Sequence, residues 1–163
     1  MISGLLESMM GKPSAVRTNY LGLLTMQPDA IAKVRAFEQE NMLREQTPIT
    51  THHLFHSGMY SRTIMIPAGV VLTGALIKLA TTLIVYGDAT VFIGAGCIRL
   101  AGYHVLSASA NRKQAFVAHA DTWLTMSFAT HARSVEEAEA EFTDEDDLLF
   151  SRRGENVVNI TGE

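Results

Sequence analysis

Residues 58–130 decide the fold; they read GMYSRTIMIPAGVVLTGALIKLATTLIVYGDATVFIGAGCIRLAGYHVLSASANRKQAFVAHADTWLTMSFAT. Short runs rich in valine, isoleucine, threonine and phenylalanine alternate in this stretch with glycine, proline, aspartate and asparagine. Closely spaced runs of this kind are typical of a β-sandwich or β-barrel, because β-branched and aromatic side chains suit strands and the punctuating residues suit turns. We therefore predict an all-β domain built on these residues.

Length, charge and cysteine content limit the class of protein. At 163 residues the chain has the size of one compact domain that needs no disulfide to bury its core. The single Cys97 cannot form an internal bridge, and this fits a reducing compartment, so we predict a cytoplasmic protein. The net charge of −4 gives no electrostatic basis for binding nucleic acid.

The most apolar segment, residues 64–86, contains Lys78 as its only charged residue. Pro67, Gly69 and Gly74 interrupt this segment and β-branched residues dominate it. Buried strands give this pattern, whereas a membrane helix needs about 20 uninterrupted apolar residues. We predict no membrane span, and the N-terminus shows no pattern of a secretory signal.

Three segments are predicted along the chain. Residues 1–49 form an N-terminal arm and a helix that begins at Pro28, and residues 50–131 form the barrel. Within the barrel segment, residues 50–57 are interpreted as a polar connection and Gly87-Asp88 as a turn. Residues 132–163 form an acidic helix and a tail.

The acidic helix has a clear start, because Ser134 and Glu137 have the spacing of a capping box. Residues 136–147 hold eight of the seventeen acidic residues of the chain. One interpretation is a solvated helix and turn, the usual fate of a charge run. The other is a contact with a basic face, in the same chain or in a partner. We expect the tail after Arg153 to be frayed.

A series of short motifs follows in a fixed order along the chain. They include His53-Leu54-Phe55, Gly58-Met59-Tyr60-Ser61-Arg62, Ile66-Pro67-Ala68-Gly69, Gly87-Asp88-Ala89-Thr90-Val91, Leu100-Ala101-Gly102-Tyr103-His104 and Asp121-Thr122-Trp123. Their order and spacing resemble a small single-domain cupin, which is a double-sheet jelly roll, and in particular the short cupin-like proteins of tailed phages and prophages. The likeness covers about half of the chain. It implies a cupin-like double-stranded β-helix, located in the host cytoplasm or the virion if the chain is phage-encoded.

The chain departs from the resemblance at the metal site. Metal-binding cupins place His-x-His and a glutamate just after the first Pro-x-Gly turn, but residues 73–86 contain no histidine, aspartate, glutamate or cysteine. Divalent metals need such donors, so we predict no metal and no cofactor. A metal site relocated elsewhere stays open as an alternative. The histidines that would form it are His53, His104 and His119.

Four cations, Arg62, Lys78, Arg99 and Lys113, lie in the predicted β region. Pointing inward, they would form a cationic barrel mouth suited to a carboxylate or phosphate. Pointing outward, they would meet solvent or the acidic helix, and the sequence leaves the strand parity open. The candidate ligand-binding residues are Tyr60, Arg62, Lys78, Tyr103, Lys113 and Trp123.

These observations predict a non-catalytic binding or structural protein of phage or prophage origin, with a small polar or anionic ligand in the barrel. Two alternatives are a metal-dependent cupin enzyme (isomerase, epimerase or oxygenase) with a relocated metal site, and a virion or assembly component. Because cupin-like domains often pair, we also expect a homodimer or a larger homo-oligomer. No nucleic-acid or membrane partner is expected.

Overall fold

A computed structural model describes residues 4–11 and 22–162 of the chain. Strands dominate this part, and helices flank them on both sides in the sequence. The helices are α1 (Gly4–Met10), α2 (Pro28–Asn41) and α3 (Val135–Phe142). The strands are β1 (Gly22–Leu23), β2 (Thr51–His56), β3 (Met59–Ile66), β4 (Val71–Thr73), β5 (Thr81–Phe92), β6 (Cys97–Ala108), β7 (Ala115–Ala118), β8 (Thr122–Ala129) and β9 (Asn156–Ile160).

The strands form a sheet that folds over on itself. This arrangement agrees with the predicted all-β, cupin-like jelly roll. Its main path has the order β1-β6-β5-β8-β3-β2-β9, while β4 pairs with β7 and β7 pairs with the second half of β5. Neighbouring strands on the main path are antiparallel except the edge pairs β1–β6 and β2–β9. The two halves of β5 thus carry the main sheet and the smaller β4–β7 layer, with the core between them.

The β5–β6 hairpin bends where a turn was predicted. Gly87 lies opposite Gly102, with φ angles of 147° and 91°, and β5 continues through Asp88 to Phe92, so the predicted turn is wrong. A Cβ atom at residue 87 would lie 2.6 Å from the carbonyl oxygen of Asp121. Glycine therefore permits both the bend and the close approach of the neighbouring chain.

Two further expectations about local structure are wrong. Residues 50–57 do not form a loop, because β2 occupies most of them and pairs with β3 along its whole length. Its burial alternates, so that His53 is inside while His52 and His56 are outside. The tail after Arg153 is not frayed, because β9 pairs in parallel with β2.

The helices agree better with the sequence. α2 begins at Pro28 as predicted and buries Val34 and Phe37 against a second apolar cluster that includes Leu6 of α1. The amide of Glu137 donates to Oγ of Ser134 at 3.2 Å, which confirms the predicted cap of α3. Part of the predicted N-terminal arm, residues 12–21, lies outside the described residues. No helix in the described ranges is long and apolar enough to span a membrane.

Candidate functional site

The barrel contains a cavity of about 120 Å³ between β3, β4, β5, β7 and β8. Its wall is mostly apolar, because the side chains that alternate inward on these strands are leucine, methionine and phenylalanine. The apolar wall includes Leu72, Leu83, Phe116, Leu124 and Met126. The polar side chains on the wall are Arg62, Thr73, Arg112 and Gln114.

One side of the cavity is closed by the C-terminal strap, as we name residues 135–152. Phe142 from α3 and Leu149 and Phe150 from the turns after it line the cavity together with the barrel strands. Phe142 also stacks its ring 5.8 Å from the guanidinium carbon of Arg62. The strap therefore supplies part of the binding wall as well as the acidic run of the sequence.

Acidic side chains of the strap pair with the barrel cations. Nη1 of Arg62 donates to Oε1 of Glu139 at 2.9 Å, and both side chains are buried. The half-buried Lys78 donates to the exposed Asp144 at 2.5 Å. Of the two interpretations of the acidic run, the contact with a basic face of the same chain is therefore confirmed.

Lys113 joins three parts of the chain. Its ammonium group is fully buried and lies 2.8 Å from the carboxylate of Glu145 in the strap and 3.1 Å from that of Glu38 in α2. Burial would raise the pKa of Glu145, but hydrogen bonds from Lys113, the Leu76 amide and Arg35 together lower it. The strap is thus held to both the barrel and α2.

The six predicted ligand-binding residues do not come together. Of them, only Arg62 lines the cavity. Tyr60 is fully buried in the aromatic core, and Lys78 and Lys113 are engaged by carboxylates. Tyr103 and Trp123 lie on the solvent-facing side of the sheet, 65% and 44% exposed. The fourth predicted cation, Arg99, makes an exposed bidentate pair with Asp88.

Arg112, which was not among the predicted site residues, is 2% exposed and lies on the cavity wall. Its Nη1 donates to the carbonyls of Ser109 and Leu79 at 2.6 and 3.1 Å, and its Nη2 donates to Oγ1 of Thr81 at 2.7 Å. Nη2 also lies 3.9 Å from the weak acceptor Sδ of Met126. The only signal in the sequence was its place beside Lys113, since consecutive residues in extended chain point to opposite sides.

The charge of Arg112 is not balanced by a carboxylate within salt-bridge distance among the described residues. Burial lowers the pKa of its guanidinium to about 10, so the group stays charged at neutral pH. A buried charge with only neutral acceptors is energetically costly, and an anion nearby would relieve that cost. Arg112 is therefore a charge on the cavity wall that a bound anion could compensate.

The three histidines of the alternative metal site form hydrogen bonds with different residues and share no partner. His53 contacts Tyr60 and Asn156, His104 contacts the carbonyl of Ala101, and His119 contacts Thr90. Within residues 4–11 and 22–162, no group of three or more histidine, cysteine, aspartate or glutamate side chains is placed to hold a metal.

The cavity wall does not fit a divalent cation either. Ala75, Ile77 and Met126 stand at positions where the resemblance would place or neighbour metal ligands, and all three line the cavity. The uncompensated charge of Arg112 on the same wall would repel a cation. The donor set therefore disagrees with the metal that the resemblance implies.

Comparison with known proteins bears on the fold alone. No protein-family model matches the sequence, and no curated protein matches it. Solved structures similar to this chain include a cupin superfamily protein from Desulfitobacterium hafniense, with 16% identity, a TM-score of 0.43 and coverage of 55% of this chain and 85% of that one. The ectoine synthase of P. lautus has 13% identity, a TM-score of 0.44 and coverage of 61% and 76%. A protein of unknown function from Streptococcus pyogenes has 13% identity, a TM-score of 0.42 and coverage of 55% and 80%.

Proposed function

We propose that this protein binds a small organic acid in the barrel cavity without transforming it. The observation that carries the proposal is the buried guanidinium of Arg112 on the cavity wall, with no carboxylate among the described residues to balance it. A ligand carboxylate would be a stronger acceptor for the Nη2 donor than the thioether of Met126, which lies at 3.9 Å. Binding would therefore exchange a weak contact for a charge-assisted hydrogen bond.

The size and lining of the cavity limit the rest of the ligand. A volume of about 120 Å³ is close to that of the engineered cavity of about 150 Å³ that binds benzene. Apolar side chains cover most of the wall, with the Gln114 amide as a further polar group. We therefore propose a monocarboxylate with a compact apolar body of no more than about six carbon atoms, because the cavity is smaller than the one in that comparison.

The absence of catalytic groups from the wall supports binding over catalysis. Among the described residues that line the cavity there is no histidine, aspartate, glutamate, cysteine or lysine. Acid–base catalysis and covalent catalysis usually need one of these side chains within hydrogen-bond reach of the substrate. The Thr73 hydroxyl has no base on the same wall to activate it. A wall of this composition disfavours the alternative of a metal-dependent enzyme.

The test is calorimetric titration of the protein with benzoate and with benzamide, its neutral counterpart. We expect benzoate to bind at least tenfold more tightly, because only the carboxylate compensates Arg112. Arg112→Gln should remove this preference, while Arg99→Gln, which removes an exposed guanidinium, should keep it. Equal affinity for the two compounds, or binding of neither, would overturn the proposal.

A second variant keeps the test valid if Arg112→Gln does not fold. Ala75→Leu adds bulk to the cavity wall at a residue that is 8% exposed and leaves Arg112 in place. We expect it to abolish benzoate binding by filling the space. Retained benzoate affinity in folded Ala75→Leu would place the ligand elsewhere. Adding Zn²⁺ or Mn²⁺ in parallel tests the enzyme alternative, which predicts tight metal binding.

Origin and location belong to the same proposal but rest on the sequence. We propose a phage- or prophage-encoded protein acting in the host cytoplasm, as the resemblance and the lone Cys97 suggest. Mass spectrometry of purified virions tests the competing role as a virion or assembly component. Detection at stoichiometric amounts would favour that role over small-molecule binding.

A further inference from the structure

Gln114 is a buried polar side chain that no neighbouring residue satisfies. It is 6% exposed and lines the cavity just before β7. Its main-chain carbonyl accepts a hydrogen bond from the Gly74 amide at 2.9 Å, but across residues 4–11 and 22–162 its side-chain amide has no hydrogen-bond partner. Buried amides in proteins are nearly always hydrogen-bonded, because their N–H donors and their carbonyl oxygen lose water on burial. An unpaired amide in a cavity wall therefore indicates a contact with a ligand.

The amide opens onto the cavity and is not sealed inside the core. In the described part of the chain, Oγ1 of Thr51 is the one enclosed side-chain polar atom that lacks a partner. The amide nitrogen and oxygen of Gln114 are therefore not enclosed, and the space that this residue borders is the cavity. A molecule in the cavity can reach them directly.

Gln114 and Arg112 face the cavity together. Both belong to a stretch that runs alongside the chain after β4, where Arg112 pairs with Ile77 and Gln114 accepts from Gly74. Residues two apart in an extended chain point to the same side, while Lys113 between them bonds to carboxylates on the other side. The Cα atoms of the two cavity residues are about 7 Å apart, from the rise of about 3.3 Å per residue in a strand. One small molecule can thus contact both side chains at once.

Arg62 and Thr73, the other two polar residues of the wall, are less available to a ligand. The guanidinium of Arg62 is engaged by Glu139 and by Ser151. The Thr73 hydroxyl has no partner among the described residues, but Thr73 also borders the space between α2 and the barrel. Gln114 does not line that second space, and it is therefore the neutral polar group best placed to contact a ligand.

The chemistry of an amide decides which ligand group suits Gln114. A hydroxyl accepts from the N–H donors and donates to the carbonyl oxygen, so it pairs with the amide whichever way the amide is turned. A carbonyl would use only the donors. A second carboxylate would find no free cation, because Arg62 is already balanced by Glu139, and an ammonium group would be repelled by the charge of Arg112. A neutral hydroxyl is the best match.

We propose that Gln114 makes the cavity selective for compact hydroxy acids. The ligand carboxylate binds Arg112, and a hydroxyl several bonds away binds the Gln114 amide. This selectivity rests on the proposed function, the binding of a small acid at Arg112, and adds the class of ligand to it. An acid without a hydroxyl takes water from the amide and leaves the amide unpaired, and sites with such buried polar groups discriminate strongly against the ligand that lacks the partner group.

The first experiment is calorimetric titration of the full chain with benzoate and with meta- and para-hydroxybenzoate. We expect one of the two hydroxybenzoates to bind at least tenfold more tightly than benzoate, because it pairs the buried amide that benzoate leaves unpaired. The matching fluorobenzoates are close to the hydroxybenzoates in size but donate no hydrogen bond, and they should show no such gain. No gain for either hydroxybenzoate, or an equal gain for its fluorinated counterpart, would overturn the selectivity.

The second experiment tests the residue. Gln114→Met keeps the length of the side chain and removes the amide, so the affinities for hydroxybenzoate and benzoate should become nearly equal. Gln39→Met makes the same change at an exposed residue of α2 and should keep the preference. Without ligand, Gln114→Met should be at least as stable to heat as the unmodified chain, because the fold loses no hydrogen bond. A retained preference, or a clear loss of melting temperature, would overturn the role of Gln114 in ligand selection.

The same titrations separate this selectivity from the proposed function. Benzoate that binds more tightly than benzamide through Arg112, with no gain from a hydroxyl, would leave acid binding in place and remove the hydroxy-acid selectivity. Water in the cavity would then be the partner of Gln114. If neither benzoate nor the hydroxybenzoates bind, the proposed function and the selectivity fail together.

Discussion

Arg62 and Glu139 form an ion pair inside the protein, with Nη1 of Arg62 2.9 Å from Oε1 of a fully buried carboxylate. The pair joins β3 of the barrel to α3 of the C-terminal strap. The same carboxylate accepts a hydrogen bond from Nε of Arg152 at 2.9 Å and one from the Ser151 hydroxyl. Three donors around one buried carboxylate offset much of its desolvation cost and hold the strap over the cavity.

Replacing Glu139 with glutamine should therefore be costly. The variant leaves Arg62 and Arg152 without their shared counter-charge, and removing one partner of a buried pair costs about 3–5 kcal/mol. Urea unfolding measures the change in the free energy of unfolding. Asp147→Asn removes an exposed acid from the same strap and should change stability by less than about 0.5 kcal/mol. A loss below about 1 kcal/mol in Glu139→Gln would show that the pair does not anchor the strap.

Two lysines of the barrel should differ sharply in their contribution to stability. Lys113→Met leaves Glu38 and Glu145 facing each other without their fully buried cation, which should cost about 2–4 kcal/mol. Lys78→Met breaks an ion pair whose acid, Asp144, is 87% exposed, and should cost less than about 1 kcal/mol. Thermal and urea unfolding of both variants give the comparison. Equal losses would argue against the special role of Lys113.

His53 should make stability depend on pH. Nδ2 of Asn156 donates to the carbonyl of Ser151, so its Oδ1 accepts from Nε2–H of His53, and Nδ1 accepts from the Tyr60 hydroxyl. Burial lowers the pKa of His53 from its ordinary value of 6.5. Between pH 6.5 and the lower pKa of the folded state, His53 is therefore protonated in the unfolded chain but neutral in the folded chain. The free energy of unfolding consequently falls as pH drops below 6.5.

Urea unfolding at pH 7.5 and 5.5 tests this dependence. The loss is at most about 1.4 kcal/mol per pH unit for one proton. His53→Gln should show a smaller loss between these two pH values than the unmodified chain, whereas His52→Gln, on the outside of the same strand, should keep the full loss. The lowered pKa values of Asp88 and Glu145 act at lower pH, below their ordinary values of 3.8 and 4.5. An unchanged loss in His53→Gln would exclude this histidine as the cause.

The two facing glycines of the β5–β6 hairpin should tolerate alanine unequally. Both have a positive φ, so each substitution introduces backbone strain of about 1–3 kcal/mol. Gly102→Ala meets nothing within 4 Å, whereas the Cβ of Gly87→Ala would clash with backbone and side-chain atoms of Asp121 and Thr122 at 2.6–2.7 Å. Gly87→Ala should therefore lower the melting temperature clearly more than Gly102→Ala. A larger loss of melting temperature in Gly102→Ala would mean that Asp121 and Thr122 can move away from residue 87 at little energetic cost.

Local patterns predicted the elements but not always their limits. The starts of α2 at Pro28 and of α3 after Ser134 follow from proline and capping preferences. Glycine at residue 87 suggested a turn, but in the structure the same conformational freedom bends a continuous strand. The histidine-rich segment before β3 read as a loop because its inward residues include the polar His53.

Local sequence patterns predicted the residues of the candidate site less well than they predicted the helices and strands. Arg112 and Lys113 are neighbours in a polar turn, yet one lies on the cavity wall and the other bonds to Glu38 and Glu145. The chemistry of the two side chains is nearly the same, so sequence preference does not tell them apart. Their directions depend on the register of the surrounding strands.

The order of residues alone was enough to establish the β class, the helix starts and the lack of metal-ligating side chains in residues 73–86. Strand propensity, capping and donor chemistry are properties of short segments, and they need no distant partner. The tertiary structure decided that Arg62 meets an acid 77 positions away, that Arg112 meets none among the described residues, and that Tyr103 and Trp123 face solvent instead of the cavity. Those outcomes depend on strand pairing and on contacts between distant segments, which exist only when the sheet has closed.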